Sequence, residues 1–272
     1  MELTGFEGKL AVVTGAGRMR SIGREVAVQL ARAGCDVVVT GTGKAREQMP
    51  PDEVAANWHD IDSVAEEIVG LSRRGLPVVC DVTDEVAVHR LGAVIDAEFG
   101  RVDIVVNNAG APLGTDRRPL IELDAASWNR VIQTNLTGTF LMSREFGRRL
   151  VDQGQGGSVV NMSSIAGKLL PPNSAAYAAS KAGVQAITAC MAQELGRANV
   201  RVNAICPGYV ETVRLDQISK NATWQSTLAA IPLGRTGSPS DIAAAVLFLC
   251  SEQGAWVTGQ SWNVDGGHVV QH

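Results

Sequence analysis

The feature that most constrains this chain is a strict alternation. Short aliphatic runs, each the length of one strand, are separated by longer amphipathic stretches across all 272 residues. The runs at 9–14, 36–40, 76–80, 104–106, 158–162, 200–205 and 261–264 read as strands. Between them apolar residues recur at one-turn spacing, as in Ile22, Val26 and Leu30, then Val64, Ile68 and Leu71, and later Ile187, Met191 and Leu195. Gly34, Gly75 and Gly100 are expected to stop successive helices just before the next strand. Strand and helix in alternation require right-handed crossovers, hence an α/β fold with a doubly wound parallel sheet covered on both faces. Aromatic residues are only 4% of the chain, so the core must be aliphatic, which suits such a sheet. No linker-like shift in composition divides the sequence. The expectation is a single domain over 1–272, with a cofactor half at about 1–110 and a catalytic and substrate half at about 111–272.

One stretch breaks the spacing. Residues 43–60 (GKAREQMPPDEVAANWHD) are polar, contain a Pro-Pro pair, and separate the second strand from its helix. The plain expectation is a surface insertion. The functional alternative is a flap beside the adenosine end of a bound dinucleotide, because loops after the second strand lie there in dinucleotide folds.

The first strand runs directly into Thr14-Gly15-Ala16-Gly17-Arg18-Met19-Arg20-Ser21-Ile22-Gly23 and then a helix. A glycine-rich turn between strand and helix admits a pyrophosphate, since glycine lets the backbone approach and the helix N-terminus offers free N–H groups. The literal G-x-G-x-x-G pattern fails, with Arg20 where the third glycine should stand. Ser21 could cap the helix and bond a phosphate oxygen. The second strand ends Thr40-Gly41-Thr42 without the carboxylate that commonly takes the ribose hydroxyls of NAD. Arg18, Arg20, Lys44 and Arg46 flank it instead, and an arginine can neutralise a 2′-phosphate. The balance favours NADP modestly over NAD.

The catalytic half is sharper. Ser163-Ser164 closes an apolar strand, and Tyr177 and Lys181 follow four residues apart in an alanine-rich helical stretch, which puts both side chains on one helix face. A free tyrosine loses its proton near pH 10, too high for efficient acid/base work at neutrality, and a nearby ammonium lowers that value.

These pieces do not stand alone. The chain resembles the short-chain dehydrogenase/reductase family over essentially its whole length. The matches come in order: Thr14-Gly15; Asp81; Asn107-Asn108-Ala109-Gly110; Asn135 in Asn-Leu-Thr-Gly; Ser164; Tyr177-x-x-x-Lys181; Pro207-Gly208; Pro232-Leu233-Gly234-Arg235; and Asn263-Val264-Asp265-Gly266-Gly267. The resemblance implies a Rossmann fold and transfer of a hydride between a nicotinamide cofactor and a ketone or secondary alcohol. It implies that Ser164 polarises the substrate oxygen, Tyr177 is the general acid/base, and Lys181 binds the nicotinamide ribose and lowers the tyrosine pKa. Asn135 would anchor a water that relays protons to Lys181. Ser163, the competitor for the serine role, should face the other side of its strand. Gly15, Gly17, Arg18, Arg20, Ser21, Ile22, Gly23 and Thr42 would hold the nucleotide end. Asp81 and Val82 would meet the adenine, Asn108, Ala109 and Gly110 the ribose region, and Pro207, Gly208, Val210 and Thr212 the carboxamide side.

The glycine turn departs from the family's usual form by two extra residues and is similar to that of its divergent enoyl-thioester reductases. Those enzymes place the lysine further from the tyrosine, and here the residue seven after Tyr177 is Val184. The spacing favours C=O over C=C reduction, as in 3-oxoacyl-carrier-protein reductases. An enoyl reductase and a catalytically silent nucleotide-binding member of the fold are the alternatives. The substrate is expected to meet a lid at about 211–231, including Trp224 and Leu228, together with Leu113, Leu169, Leu170 and Tyr209. The resemblance also implies a homotetramer.

A net charge of −4 argues against nucleic acid or anionic membrane as a partner, leaving a small molecule. No segment approaches the apolar length of a membrane span and residues 1–9 do not read as a signal peptide, so a cytoplasmic location is expected. The five cysteines lack metal or disulfide spacing and read as buried thiols, and the four histidines form no ligand cluster, so no metal is expected.

Overall fold

The computed structural model describes residues 2–43, 47, 49–218 and 224–270. Seven strands form one parallel sheet: β1 (Leu10–Thr14), β2 (Asp36–Gly41), β3 (Gly75–Val79), β4 (Ile104–Asn107), β5 (Gly157–Met162), β6 (Val200–Pro207) and β7 (Ser261–Val264). Their order is β3-β2-β1-β4-β5-β6-β7, so the winding reverses between β1 and β4. Val13 lies level with Val39 on one side and Val106 on the other. In such a sheet the ligand crevice opens beyond the carboxyl ends of the strands at that reversal.

Helices cover both faces. On one side lie α1 (Ile22–Ala33), α2 (Pro51–Ala55), α3 (Ile61–Gly70) and, after the shorter α9 (Val213–Ile218) and α10 (Trp224–Ala229), α11 (Pro239–Cys250). On the other lie α4 (Glu85–Glu98), α5 (Ala125–Ile132), α6 (Gly138–Asp152) and the long α8 (Ala175–Leu195), which the short α7 (Ala166–Leu169) precedes. The pleat divides the strand residues between two cores. Ala11 and Val13 join Val26, Leu30, Ile68 and Val246 on one face, while Leu10 and Val12 join Leu91, Ile95, Phe146 and Leu150 on the other. Aliphatic side chains therefore dominate both layers, as the low aromatic content required.

Two local stops differ in mechanism. Gly34 ends α1 at φ 120, and its N–H returns to Ala31 O and Leu30 O. Gly75 does not end α3, contrary to expectation. The helix stops at Gly70, Ser72 takes the left-handed turn at φ 61, and Gly75 opens β3. A Cβ at Gly75 would stand 2.5 Å from Ala65 O, so this glycine serves close packing of α3 on the sheet. Residues 133–137 form a π-type turn that joins α5 to α6. Among the described residues no helix is long and apolar enough to cross a membrane.

Candidate active site

A cleft of about 1080 Å³ follows the reversal point from the glycine turn to the start of α8. Its nucleotide end begins at Gly15, which has φ +65; a Cβ there would stand 2.7 Å from Ala109 Cα. Thr14 Oγ1 accepts from Asn108 N and Ala109 N, and Asn108 Nδ2 donates to the carbonyls of Thr14 and Gly15. The β1 and β4 turns are thereby tied together. Ser21 caps α1 as expected, accepting from Arg24 N, while its hydroxyl proton goes to Arg18 O. Gly23 is buried beneath, where a Cβ would collide with Gly15 O and Asn108 Nδ2. Gly15, Arg18, Arg20, Ser21, Ile22, Asn108 and Gly110 line the cleft. Backbone N–H groups at the start of α1 and a glycine cradle fit a dinucleotide pyrophosphate.

Within the segment 43–60, the described residues 49–60 are not a plain surface loop. Its helix α2 lies against the glycine turn. Glu53 is 1% exposed and accepts from Arg18 Nη1 at 2.8 Å and from Met19 N at 2.9 Å. Trp58, 8% exposed, donates its indole N–H to Gly17 O at 2.6 Å. Arg20 is bound by Asp52 at 3.0 Å and by Asp216 of α9. The Asp60 carboxylate lies over Gly17, where a Cβ would collide with it, and near Gly41 at the end of β2. Asp60 holds φ 51 and ψ −128, an unusual backbone for a residue with a side chain. The arginines counted toward a 2′-phosphate are thus committed to carboxylates of the chain itself. Lys44 and Arg46, counted with them, lie outside the described residues.

Other expected nucleotide contacts are more dispersed. Asp81 is exposed and accepts from Thr83 N and Thr83 Oγ1 in a tight turn. Val82 is buried against Gly138, and Thr42 is exposed beyond β2. Pro207, Gly208, Val210 and Thr212 line the far wall of the cleft beside Tyr177 and Lys181.

At the catalytic end Ser164, Tyr177, Lys181 and Asn135 converge, as expected. Lys181 is 5% exposed and donates to Met162 O at 2.6 Å, with Nζ 5.8 Å from the Tyr177 ring centroid. The Ser164 hydroxyl stands close to the Tyr177 phenol, and both line the cleft. Ser163 is not in this role: its hydroxyl donates to Lys181 O and accepts from Gln185 Nε2. Asn135 sits in the π-type turn, where Oδ1 accepts from Ala111 N at 2.8 Å and Nδ2 donates to Ser180 Oγ at 3.0 Å. Single π-type turns of this kind recur at functional sites.

Burial alone would raise the Tyr177 phenol. The positive charge of Arg214, then Lys181, the Ser164 hydrogen bond and Arg117 outweigh it, and the net direction is below the ordinary tyrosine value. Burial lowers the Lys181 ammonium, opposed by the Tyr177 charge and helped by Arg214. Neither arginine was singled out from the sequence. The Arg117 guanidinium carbon lies 4.5 Å from the Tyr177 ring centroid, and that of Arg214 lies 4.7 Å from it.

Part of the expected substrate wall lines the cleft. Leu113, Leu169 and Tyr209 line the cleft. Leu170 instead turns out, 62% exposed, in a left-handed conformation at φ 51. Of the lid, residues 219–223 lie outside the described residues. Trp224 packs edge-on against Tyr209 at 5.6 Å, and Ser226, Thr227 and Ala230, rather than Leu228, are the cleft-lining residues of that stretch.

A family model described as enoyl-(acyl carrier protein) reductase matches residues 15–269. The chain is similar to the 3-oxoacyl-[acyl-carrier-protein] reductase of Thermotoga maritima, 34% identical over 97% of this chain and 99% of the relative. The Escherichia coli protein of the same name is also 34% identical, over 96% and 98%. A solved short-chain type dehydrogenase/reductase from Mycobacterium ulcerans superposes with a TM-score of 0.85 at 32% identity, covering 97% of this chain and 91% of that one.

Proposed function

The chain belongs to the short-chain dehydrogenase/reductase family, and from that premise we propose how its cleft works. It is a nicotinamide-dependent oxidoreductase acting on ketones and secondary alcohols. We assign Ser164 to hold the substrate oxygen and Tyr177 to give that oxygen a proton in reduction or take one in oxidation. Lys181 stabilises the phenolate and holds the nicotinamide ribose. Asn135 would anchor a water that relays protons to Lys181, its own amide held between Ala111 N and Ser180 Oγ. A bound nicotinamide supplies or accepts the hydride. The glycine turn from Gly15 to Gly23 would take the pyrophosphate, Asp81 and Val82 the adenine, and Pro207 to Thr212 the carboxamide side. The cofactor half at about 1–110 and the catalytic half at about 111–272 would thus meet at the β1/β4 reversal.

The observation that carries this reading is the convergence of Tyr177, Ser164 and Lys181 in one cleft, with Lys181 Nζ 5.8 Å from the Tyr177 ring centroid and one turn along the same helix face. The family model's description does not select C=C reduction, because Val184 is fully buried where the enoyl reductases' lysine would stand. Turnover on a carbonyl panel tests the reading. Tyr177→Phe should abolish it while NAD(P)H still binds, and equal turnover in that variant would overturn it.

For the nucleotide, the arginines favoured NADP in the sequence. A specific observation now supports NAD: Arg20 and Arg18 are paired with Asp52 and Glu53, and the Asp60 carboxylate stands beside Gly41 at the end of β2, where a ribose-binding acid is wanted. NAD is the reading we adopt. We further propose a cytoplasmic homotetramer. All five cysteines are free thiols, four of them buried and Cys190, against expectation, exposed, which supports a reducing compartment. Phe140 and Val151 on α6 and Trp256 before β7 are exposed and available for subunit contacts.

A further inference from the structure

The proton-transfer chemistry described above needs one cation beside the tyrosine, and Lys181 provides it. The cleft holds two more. Arg117 comes from the loop after β4 and is fixed by donation to Ser174 Oγ at 2.6 Å. Arg214 comes from α9 and donates to Ala111 O at 3.0 Å. Both line the cleft and both approach the Tyr177 ring. Segments that follow β4 and β6 thus bring two guanidinium groups to one reacting position.

Their charges are poorly matched by the protein. Among the described residues the carboxylate that reaches this pair is Asp116, 3.5 Å from Arg117 Nε and shared with Arg130 at 3.3 Å. Arg214 has no ion-pair partner among the described residues. A Tyr177 phenolate would offset part of the excess, but it exists in only one protonation state of the cycle. Bringing Arg117 and Arg214 together in a partly buried site is unfavourable, and burial and the charge of Arg214 both push the Arg117 guanidinium down. An anion that enters with the substrate relieves that cost.

We propose that the substrate carries a carboxylate on, or one carbon removed from, its reacting carbonyl carbon, and that Arg117 and Arg214 hold that carboxylate. This rests on the ketone and secondary-alcohol reading above and names the substrate class for it: short 2-oxo or 3-oxo acids and the corresponding hydroxy acids. Guanidinium groups match carboxylate geometry through paired N–H donors. The short reach from Arg117 and Arg214 to Tyr177 requires the acid group to sit close to the reacting carbon. Leu113, Leu169 and Pro171 line the same cleft and leave an apolar wall for the remaining substituent. His268 also lines it, and its Nδ1 is buried without a hydrogen-bond partner among the described residues, a group a polar substituent can satisfy.

The cofactor's phosphates are the rival anion. Against them, α9 already meets the glycine turn through Val213 N, which donates to Arg20 O at 3.2 Å, yet the Arg214 side chain reaches instead to Ala111 beside the tyrosine.

The test pairs each short oxo acid with its methyl ester and follows NADH or NADPH consumption, with cofactor affinity measured separately by fluorescence. The wild-type enzyme should prefer acid over ester in kcat/KM by at least about tenfold, the scale of one charge-assisted contact. Arg214→Met should erase most of that preference, lowering the acid-to-ester ratio of kcat/KM about tenfold or more while leaving cofactor affinity intact; the loss of its charge beside Tyr177 acts on acid and ester alike and cancels in the ratio. Arg117→Lys should weaken the preference in the same sense. Equal wild-type turnover of acid and ester overturns the proposal without any variant. So does preference for a phosphate-bearing ketone, or an Arg214→Met enzyme that keeps the wild-type acid-to-ester ratio or loses cofactor binding. If neither acid nor ester turns over while neutral ketones do, the carboxylate assignment falls alone. If no carbonyl compound turns over, the parent reading falls with it.

Discussion

Glu53 accepts a hydrogen bond from the backbone N–H of Met19 at 2.9 Å while it binds the Arg18 guanidinium at 2.8 Å. A carboxylate from the insertion thereby holds the middle of the glycine turn, supported by the Trp58 bond to Gly17 O. Because Glu53 is almost wholly buried, its removal strands the Arg18 charge and the Met19 donor. Glu53→Ala should cost roughly 3 kcal/mol of stability and weaken dinucleotide binding, while Glu53→Gln, which keeps an acceptor for Met19, should cost less. Chemical denaturation with a cofactor titration checks both. A variant as stable as wild type would show that the insertion does not hold the turn.

The lowered Tyr177 phenol sets the sign of a pH profile. Oxidation of an alcohol needs the phenolate, whose fraction grows as pH rises through the tyrosine pKa. The kcat/KM for oxidation should therefore rise with pH and level off below the ordinary tyrosine range. Arg214→Met removes the largest of the favourable influences on the phenolate, so the inflection should move to higher pH, and Lys181→Met should move it the same way. An unmoved inflection in both variants would mean that another group titrates.

How much of this was readable beforehand depends on the range of the interaction. Strands β1, β2, β4, β5 and β6 were legible because each is a largely apolar run buried on both faces, and the half-buried edge strands β3 and β7 because of their place in the alternation. The Tyr177–Lys181 pair was legible because four residues is one helical turn. The location of 43–60 was not. Its anomaly shows in the Pro-Pro pair, but the fact that Glu53 and Trp58 pack on residues 17–19 depends on tertiary contact. Arg117 and Arg214 look like ordinary solvated arginines in polar segments, and only the return of both segments to α8 gives them a role. Gly75 misled because a glycine before a strand reads as a helix stop, whereas the tight approach of Ala65 O explains it better.

The π-type turn around Asn135 was equally silent, since no residue type encodes one. Its consequence can be measured. Asn135→Ala leaves the Ala111 N–H without its acceptor, at about 1–3 kcal/mol for a stranded buried donor, and removes the donor to Ser180 Oγ, which keeps its own bond to Tyr177 O. Turnover should fall with little change in cofactor affinity, because Ala111 borders the substrate side. Denaturation midpoints and kcat measured on the same variant check this, and a fall in stability without loss of kcat would leave Asn135 purely structural.

The nucleotide preference separates two opposed electrostatic expectations at one place. Counted as free cations, Arg18 and Arg20 attract the 2′-phosphate of NADP. Paired as they are with Glu53, Asp52 and Asp216, they offer little net charge, and the phosphate would come up against Asp60 beside Gly17. Two like charges brought together in a partly buried site repel, whereas the ribose hydroxyl of NAD can donate to the same carboxylate. NADH should therefore bind at least about tenfold more tightly than NADPH, a difference of about 1.4 kcal/mol. Asp60→Asn should narrow the gap by improving NADPH more than it harms NADH, because the amide removes the repulsion and keeps an acceptor for the ribose. Fluorescence titration of both reduced nucleotides against wild type and variant decides it. Equal or tighter NADPH binding by the wild type would return the preference to the arginines and require the Glu53 and Asp52 pairings to open when the phosphate arrives.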